Sequence, residues 1–236
     1  MRVDPGMADC AHAKVRSIAV AWDAFDREGG AVVAYRSGNV FSRFRQNSGT
    51  SRRIIVHMKL REFQAVLRAD LACNQEPLSK LTVLTFRLGQ YAFRGRHPLL
   101  RAAWRAWSLW YVNLLIGAEI PPAIECGPGL ALRHGGRGVI LHPAARIGSR
   151  ATIYHRVTIG QRGPGVPVIG DGVYIGTGAS ILGDLAVGNG ARIGAGAVVI
   201  RDVPPGRTAV GVPAKLLSEV DHLGSLGHIT DTAPRG

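Results

Sequence analysis

The most constraining feature of this sequence is a six-residue repeat that runs through residues 147–204. An aliphatic residue starts each repeat, and Gly follows it in most of them. The starts are Ile147, Ile153, Ile159, Ile169, Ile175, Ile181, Val187, Ile193 and Val199. Helices and strands have shorter periods, whereas a coil with three flat sides places one inward aliphatic side chain on each side. The repeat therefore predicts a parallel β-helix with about 18 residues per coil.

Two interruptions of the repeat predict segments that leave the coil. The spacing between Ile159 and Ile169 is ten residues rather than six, so we expect a loop within residues 161–167. Earlier repeats start at Ile120, Cys126, Leu132 and Leu141. The wider spacing before Leu141 predicts a bulge within residues 135–140. A β-sandwich or a low-complexity linker is the alternative for such a stretch, but one register shared by so many starts disfavours both.

The rest of the chain predicts a mainly β protein in which a small α-helical domain precedes the β-helix. We expect a poorly ordered or flexible arm over residues 1–57, helices over 58–117, the coil over 118–206 and an exit and tail over 207–236. Helical apolar patterns begin near Leu60, Leu78 and Pro98, and proline suits a helix start. Pro204 opens a turn-rich segment that ends the coil.

The third predicted helix carries aromatic and basic side chains together. They are Trp104, Trp107, Trp110 and Tyr111, beside Arg101 and Arg105. The uncharged run over residues 106–118 is too short to span a bilayer. Two interpretations follow. The aromatic residues pack against other helices or a neighbouring subunit, or they form a basic face that rests on an anionic membrane surface.

Composition limits the class of partner and the compartment. The 3 cysteines of the 236-residue chain are too few and too scattered for a disulfide framework, which favours the reducing cytoplasm. The formal net charge of +13 suits nucleic acid, an anionic membrane or an anionic small ligand. Nucleic acid is disfavoured because no known binding pattern accompanies the charge. Residues 1–9 lack a secretory signal pattern, so we expect a cytoplasmic protein, with peripheral contact at the inner face of the membrane as an alternative.

Two histidines mark the candidate active site. His134 and His155 each lie two places after a repeat start, and their repeats are three apart. We therefore expect them to be neighbours on successive coils. Glu119 precedes Ile120 and is expected on the same side one coil earlier, where it would reach His134. A histidine with a carboxylate partner is the usual general base, and the alternative is that these side chains are simply solvated.

The motifs of the coil resemble a known enzyme family. They are "GLALRHGG" (129–136), "IYHRVTIG" (153–160), "PVIGDGVYIGTGASILG" (167–183), "IGAGAVVIRDVPPG" (193–206) and "GVPAK" (211–215). With them, residues 119–217 resemble the serine acetyltransferase branch of the hexapeptide-repeat acyltransferases. The resemblance implies a left-handed coil, a homotrimer and acetyl-CoA as acyl donor, with no metal. The hand of the coil depends on the resemblance alone, because the general crossover rule favours the opposite hand.

The resemblance also implies roles for individual residues. His134 matches the catalytic base, and Glu119 takes the place of the acid that orients it, where the family has Asp. The positions that match the family's cofactor contacts are Gly160, Thr177, Ala195, Ile200, Arg201 and Lys215. Arg201 and Lys215, with Arg192, are candidates for the phosphates of coenzyme A.

Departures from the family pattern determine the expected acceptor. The loop is shorter than in serine acetyltransferases and ends in Val166-Pro167, where the family has an Arg-His-Pro that holds the serine carboxylate. Arg133 stands where the family has Asp. Both charged ends of serine would thus lose partners, and buried sites tolerate unpaired charges poorly. We therefore expect an acetyltransferase that acts on a saccharide hydroxyl in surface polysaccharide assembly, with serine as the alternative. Asp70, Arg133 and His155 are the expected acceptor contacts.

Two other functions remain as alternatives. A γ-type carbonic anhydrase uses the same scaffold, but it needs three converging imidazoles on zinc. His134 and His155 would supply two, and the spacings around His142 do not resemble that family's closely spaced pair. A non-catalytic scaffold trimer is the third candidate, and acetyl-CoA binding would distinguish it.

Overall fold

The computed structural model describes residues 60–94 and 98–217, together with the backbone of three short strands. These strands are β1 (Ala19–Ala21), β2 (Val32–Ser37) and β3 (Val40–Arg45), which pair antiparallel in that order. Most of the arm predicted over residues 1–57 lies outside the described residues, and so does the tail from residue 218. The flexibility predicted for both segments stays a prediction.

Three helices precede the coil. They are α1 (Leu60–Cys73), α2 (Pro77–Arg94) and α3 (Pro98–Ser108), and α3 continues as a π-helix over Leu109–Leu115. Proline occupies the first position of α2 and α3, where its missing N–H costs no hydrogen bond. Gly117, with φ of +61°, follows the π-helix in the left-handed conformation that commonly ends helices. Within the described part of the chain, no helix has the length and apolar character needed to cross a membrane.

Aromatic residues of α3 pack on α2. Trp104 Nε1 donates to the Thr85 carbonyl oxygen at 2.7 Å, and Trp107 Nε1 donates to Thr85 Oγ1 at 3.0 Å. Tyr111 is 1% exposed. The packing interpretation is therefore correct for these three side chains. Trp107 and Trp110 nevertheless keep 41% and 57% of their surface exposed, and the predicted membrane contact stays a prediction.

Short strands stack into a three-sided parallel coil. They are β4 (Glu125–Cys126), β5 (Ala131–Leu132), β6 (Ile140–Leu141), β7 (Arg146–Ile147), β8 (Thr152–Ile153), β9 (Thr158–Gly160), β10 (Val168–Ile169), β11 (Tyr174–Ile175), β12 (Ser180–Leu182), β13 (Ala186–Val187), β14 (Arg192–Ile193), β15 (Val198–Val199), β16 (Thr208–Val210) and β17 (Lys215–Leu216). One side consists of β4, β7, β10 and β13, the second of β5, β8, β11, β14 and β16, and the third of β6, β9, β12 and β15. The predicted parallel β-helix, of about 4 turns, is confirmed.

The repeat starts form the core of the coil. Leu132, Ile153, Ile175 and Ile193 are all 0% exposed and lie in register on one side. One aliphatic side chain per side therefore fills the interior at each level, as the six-residue spacing predicts. The final rung, β16, pairs in parallel with β14 and antiparallel with β17, so the coil ends within the segment predicted as its exit.

A buried ion pair fastens the helices to the first coil. Arg87 Nε donates to Asp70 Oδ2 at 2.6 Å, and its other nitrogens reach the carbonyl oxygens of Cys126 and Gly127. Asp70 Oδ1 also accepts from the N–H groups of Gly129 at 2.6 Å and of the next residue at 3.0 Å. Burial raises the pKa of the Asp70 carboxyl, and the charge of Arg87 opposes that rise. The helical domain is thus held to the coil directly upstream of the candidate site.

Candidate active site

The candidate base lies in a left-handed turn. After β5 the chain forms the short 3-10 segment Arg133–Gly136, in which His134 has φ of +55° and Gly135 has φ of +72°. Positive φ is uncommon for a residue other than glycine, and His is among the types that adopt it more readily. The bulge predicted within residues 135–140 begins inside this turn. It lifts the His134 side chain to 55% exposure.

Helix α2 supports this turn from below. Ser79 Oγ accepts from the Gly135 N–H at 3.1 Å, and Thr82 Oγ1 donates to the Gly135 carbonyl oxygen at 2.8 Å. A Cβ atom on Gly135 would collide with the side chain of Leu78. Glycine therefore satisfies both the backbone conformation and the close approach of α2, and the helical domain positions His134.

The two predicted histidines are neighbours. The ring centroids of His134 and His155 lie 5.0 Å apart, with the rings nearly perpendicular. The Gly178 N–H donates to the His155 carbonyl oxygen at 3.0 Å, and the Gly196 N–H donates to the Thr177 carbonyl oxygen at 2.8 Å. His134, His155, Thr177 and Ala195, which directly precedes Gly196, therefore follow one corner of the coil at successive levels. The predicted proximity of the histidines is confirmed.

The carboxylate beside the imidazole is Glu76, not the predicted Glu119. Glu76 Oε1 lies 3.7 Å from His134 Nδ1, and both side chains are about half exposed. Glu119 pairs with the third side of the coil, since its N–H donates to the Val139 carbonyl oxygen and its own carbonyl oxygen accepts from Leu141. Its repeat is two before that of His134 rather than three, so it falls on a different side. The prediction that Glu119 shares the side of His134 is wrong.

Two tyrosines and an arginine extend the site along the outer surface of the second side. The Tyr154 ring lies 5.9 Å from that of His134 and 5.3 Å from that of Tyr174. Arg192 Cζ lies 4.6 Å from the centre of the Tyr174 ring. Burial, followed by the contact with Tyr154, raises the pKa of Tyr174 to about 12.

Sequence reasoning missed both tyrosines, although a signal for them exists. Tyr174 and Arg192 directly precede repeat starts, and Tyr154 directly follows one. Such positions point outward from a strand whose neighbours point inward. Glu76 has no such signal, because the periodic pattern of the coil does not determine where a helical segment packs against it.

The predicted acceptor contacts have different surroundings. Asp70 is 0% exposed and is engaged by Arg87 and two backbone N–H groups, so its predicted acceptor role is wrong. Arg133 and His155 do lie at the site. Arg133 Nε and His155 Nδ1 are buried and have no hydrogen-bond partner. Unpaired buried polar atoms are rare in folded proteins, and these two adjoin the candidate base.

Most of the predicted cofactor residues lie either along the corner of the coil that carries the histidines or on the third side of the coil. Thr177 and Ala195 follow the corner of the histidines, as described above. On the third side, Gly160 of β9 pairs with Leu182 of β12. Ile200 directly follows Val199 of β15, the strand that pairs with β12 on the next level of the coil. The two basic candidates are both exposed, Arg201 after β15 and Lys215 on β17. Contact of these residues with coenzyme A stays a prediction.

His142 lies on a different side of the coil from His134 and His155. It follows β6 on the third side, and its Nδ1 accepts from the Ala144 N–H at 3.2 Å. Among residues 60–94 and 98–217, no group of three or more His, Cys, Asp and Glu side chains is arranged to hold a metal ion.

Comparison with known proteins establishes the family. The model of the bacterial transferase hexapeptide (six repeats) matches residues 167–201. The solved soybean serine acetyltransferase complexed with serine is 36% identical, with a TM-score of 0.54 over 67% of this chain and 69% of that one. The chain belongs to the serine acetyltransferase family.

Other members of the serine acetyltransferase family match over similar lengths. The Buchnera aphidicola serine acetyltransferase is 36% identical over 179 residues, which are 71% of this chain and 64% of that protein. A serine acetyltransferase solved in complex with CoA is 28% identical, with a TM-score of 0.51 over 60% of this chain and 57% of that one. The aligned segments span between 29% and 64% of the curated relatives' lengths.

These relatives overturn the expected acceptor. The matched proteins are named serine acetyltransferases, so the preference for a saccharide acceptor is wrong and the serine alternative is the better supported one. The error has a physical source. In the sequence, Arg133 and the short loop indicate only the loss of serine contacts. In the folded chain, the Nε of Arg133 is buried beside His134 without a hydrogen-bond partner.

Proposed function

We propose that this protein transfers the acetyl group of acetyl-CoA to the hydroxyl of L-serine. The observation that carries the proposal is the position of His134 at the corner of the coil. Its Nδ1 faces Glu76 Oε1 at 3.7 Å, which leaves Nε2 available to a hydroxyl. A relative solved with serine and another solved with CoA support the choice of acceptor and donor.

His134 acts as the general base. Its Nε2 takes the hydroxyl proton of serine while the serine oxygen attacks the carbonyl carbon of the acetyl thioester. The tetrahedral oxyanion then collapses, the carbon–sulfur bond breaks, and the thiolate of coenzyme A receives the proton from the imidazolium. Proton transfer of this kind contributes about 10²- to 10⁴-fold in rate.

Glu76 is a positioning residue in this scheme. Its carboxylate favours the tautomer of His134 with the proton on Nδ1, and it stabilises the imidazolium that forms during the reaction. Both groups are about half exposed, so solvent screens the contact. An exposed pair of this kind is worth about 0–1 kcal/mol.

The surface beside this corner of the coil is the proposed site of acetyl-CoA. Thr177 and Ala195 follow the histidine corner, and Gly160 and Ile200 lie on the adjoining side. The exposed Arg201 and Lys215 are the proposed phosphate contacts, since guanidinium and ammonium groups pair well with phosphate. We further infer a cytoplasmic homotrimer, from the family resemblance and the small number of cysteines.

The test is acetyl transfer by the purified full-length protein. Thiol release from acetyl-CoA is measured with L-serine and with a panel of nucleotide sugars and oligosaccharides, and O-acetylserine is identified by mass spectrometry. We expect turnover with L-serine and a loss of about 10²- to 10⁴-fold in His134→Ala. His142→Ala removes a histidine outside the site and should retain the wild-type rate. Turnover with saccharides but not serine, or a His134→Ala variant as active as the wild type, would overturn the proposal.

A further inference from the structure

One face of α3, and of the π-helix that continues it, is apolar and exposed. Its residues recur at a spacing of three or four, which places them on one side of a helix. They form a stripe, which we call the α3 stripe: Leu99, Ala103, Ala106, Trp110 and Leu114. Leu99 is 86% exposed and Leu114 is 73% exposed. An exposed apolar patch of this kind marks an interaction site.

The packing of α3 on α2 leaves this stripe open. Trp104 and Trp107 donate hydrogen bonds to Thr85 of α2, and Tyr111 is buried. The Trp110 ring lies 5.5 Å from the ring of Trp107, which is itself held by α2. Trp110 is therefore supported from behind while its outer surface faces solvent.

The charged residues of α3 are both basic. They are Arg101 and Arg105, whose Cζ atoms lie 6.0 and 5.4 Å from the centre of the Phe93 ring. Neither forms an ion pair with a residue that the structure describes. Residues 77–118 contain no Asp or Glu. The surface of α3 therefore combines exposed apolar side chains with positive charge that no neighbouring acid neutralises.

These features favour an anionic lipid surface over a second copy of the chain. In a symmetric contact the same patch faces itself, so the arginines of both copies would meet without an acidic residue of α2 or α3 between them. Like charges that are brought together oppose association. Anionic headgroups supply the negative charge that these helices lack, and the lipid chains accept the apolar stripe.

We propose that the α3 stripe binds an anionic membrane surface. Trp110 and Leu114 enter the boundary between headgroups and acyl chains, where tryptophan is favoured, and Arg101 and Arg105 pair with lipid phosphates. α3 and its π-helix together are shorter than the about 20 residues that a span needs, so the helix lies in the plane of the surface.

Helix α2 joins this surface to the candidate site. Its Thr85 carbonyl oxygen accepts from Trp104 of α3, and its Ser79 and Thr82 hold the turn that carries His134. Membrane binding would bring the candidate site to a lipid surface without using any of its residues. Binding through the stripe is therefore independent of the proposed reaction.

Cosedimentation of the full-length protein with vesicles tests the proposal. Vesicles of phosphatidylglycerol and phosphatidylcholine are compared with vesicles of phosphatidylcholine alone. At low salt we expect at least about 10-fold stronger binding to the anionic vesicles, and ~0.5 M NaCl should remove most of it because salt screens the arginines. Trp110→Ser and Leu114→Ser should each weaken binding about 10-fold. The double variant Arg101→Gln/Arg105→Gln should weaken it by about 5-fold per arginine.

Tryptophan fluorescence reports whether Trp110 itself enters the bilayer. Anionic vesicles should shift the emission of the wild type to shorter wavelength, because the indole leaves water. Trp110→Phe keeps an aromatic ring, so it should bind within about 3-fold of the wild type but lose most of the shift. An unchanged shift in Trp110→Phe would overturn the assigned orientation of the stripe.

Matched controls separate membrane binding from other effects. Leu60→Ser and Arg68→Gln change an exposed leucine and an exposed arginine of α1 and should leave vesicle binding unchanged. Circular dichroism reports whether each variant folds, and Leu114→Ser and the arginine double variant carry the test if Trp110→Ser does not.

Three results would overturn the proposal. They are a wild type that does not bind anionic vesicles, equal binding to both kinds of vesicle, and folded stripe variants that bind like the wild type. Sedimentation velocity without vesicles covers the other occupant. A change of oligomeric state in Trp110→Ser or Leu114→Ser would identify a second copy of the chain on the stripe and would also overturn the membrane contact.

Discussion

Replacing Arg87 with Met should strongly destabilise the protein. Arg87 is 1% exposed and joins α2 to the first coil of the β-helix. Its nitrogens donate to Asp70 Oδ2 at 2.6 Å, Gln90 Oε1 at 2.7 Å, the Cys126 carbonyl oxygen at 2.9 Å and the Gly127 carbonyl oxygen at 2.6 Å. Methionine fills much of the volume but supplies none of these hydrogen bonds.

The expected loss of stability follows from the Asp70 carboxylate, which stays buried when Arg87 is removed. In Arg87→Met, the Asp70 carboxylate keeps only the N–H groups of Gly129 and Leu130 as partners. Breaking a buried ion pair by removing one partner costs about 3–5 kcal/mol, because the other charge is left uncompensated. Domain stabilities are about 5–15 kcal/mol, so the variant should lose a third or more of its free energy of unfolding.

Urea unfolding followed by circular dichroism measures this loss. The protein concentration is held fixed, since assembly would otherwise change the apparent stability. Arg68→Met, at an exposed position of α1, is the control and should change the free energy of unfolding by no more than about 0.5 kcal/mol. A loss below about 1 kcal/mol in Arg87→Met would refute the argument that this pair fastens the helices to the coil.

Three further predictions concern the site itself. Glu76→Gln should lower kcat by no more than about 5-fold at saturating acetyl-CoA, because its half-exposed contact is worth at most about 1 kcal/mol; a 100-fold loss would contradict this. In Tyr174→Phe, the ultraviolet titration of the phenols should lose a step near pH 12, and loss of a step near pH 10 would be inconsistent with the environment described. Since the raised pKa favours the neutral phenol in the folded state, its stabilising effect is complete below about pH 10 and disappears as pH rises toward 12. Gly135→Ala should lower the free energy of unfolding by about 1–3 kcal/mol more than Gly172→Ala does. Both glycines have positive φ, but only at Gly135 would a Cβ atom meet a neighbouring side chain. Equal urea midpoints for the two variants would exclude that collision.

The coil could be predicted from sequence because its geometry repeats. Each inward aliphatic residue, such as Ile153 or Ile175, marks a strand whose side chain fills the interior of the coil. The six-residue spacing therefore predicts the strand positions, and the two wider spacings predict the loop and the bulge. The proximity of His134 and His155 follows from the same spacing. Glu119 was misplaced because a residue returns to the same side only after three repeats, and its repeat is two away from that of His134.

Contacts between the helical domain and the coil could not be predicted from the repeat. Glu76 and Asp70 belong to the helical domain, and their positions relative to the coil depend on long-range packing that has no period in the sequence. Arg133 shows the same limit for the acceptor. As a departure from the family pattern it indicated a lost contact, and only the folded chain shows that its Nε is buried without a hydrogen-bond partner.

A crystal structure with L-serine and CoA bound would test the central claim most directly. We predict the serine hydroxyl within about 2.6–3.2 Å of His134 Nε2, with the CoA thiol at the same corner of the coil. Serine or the thiol bound away from His134 would contradict the assignment of this corner as the site of acetyl transfer.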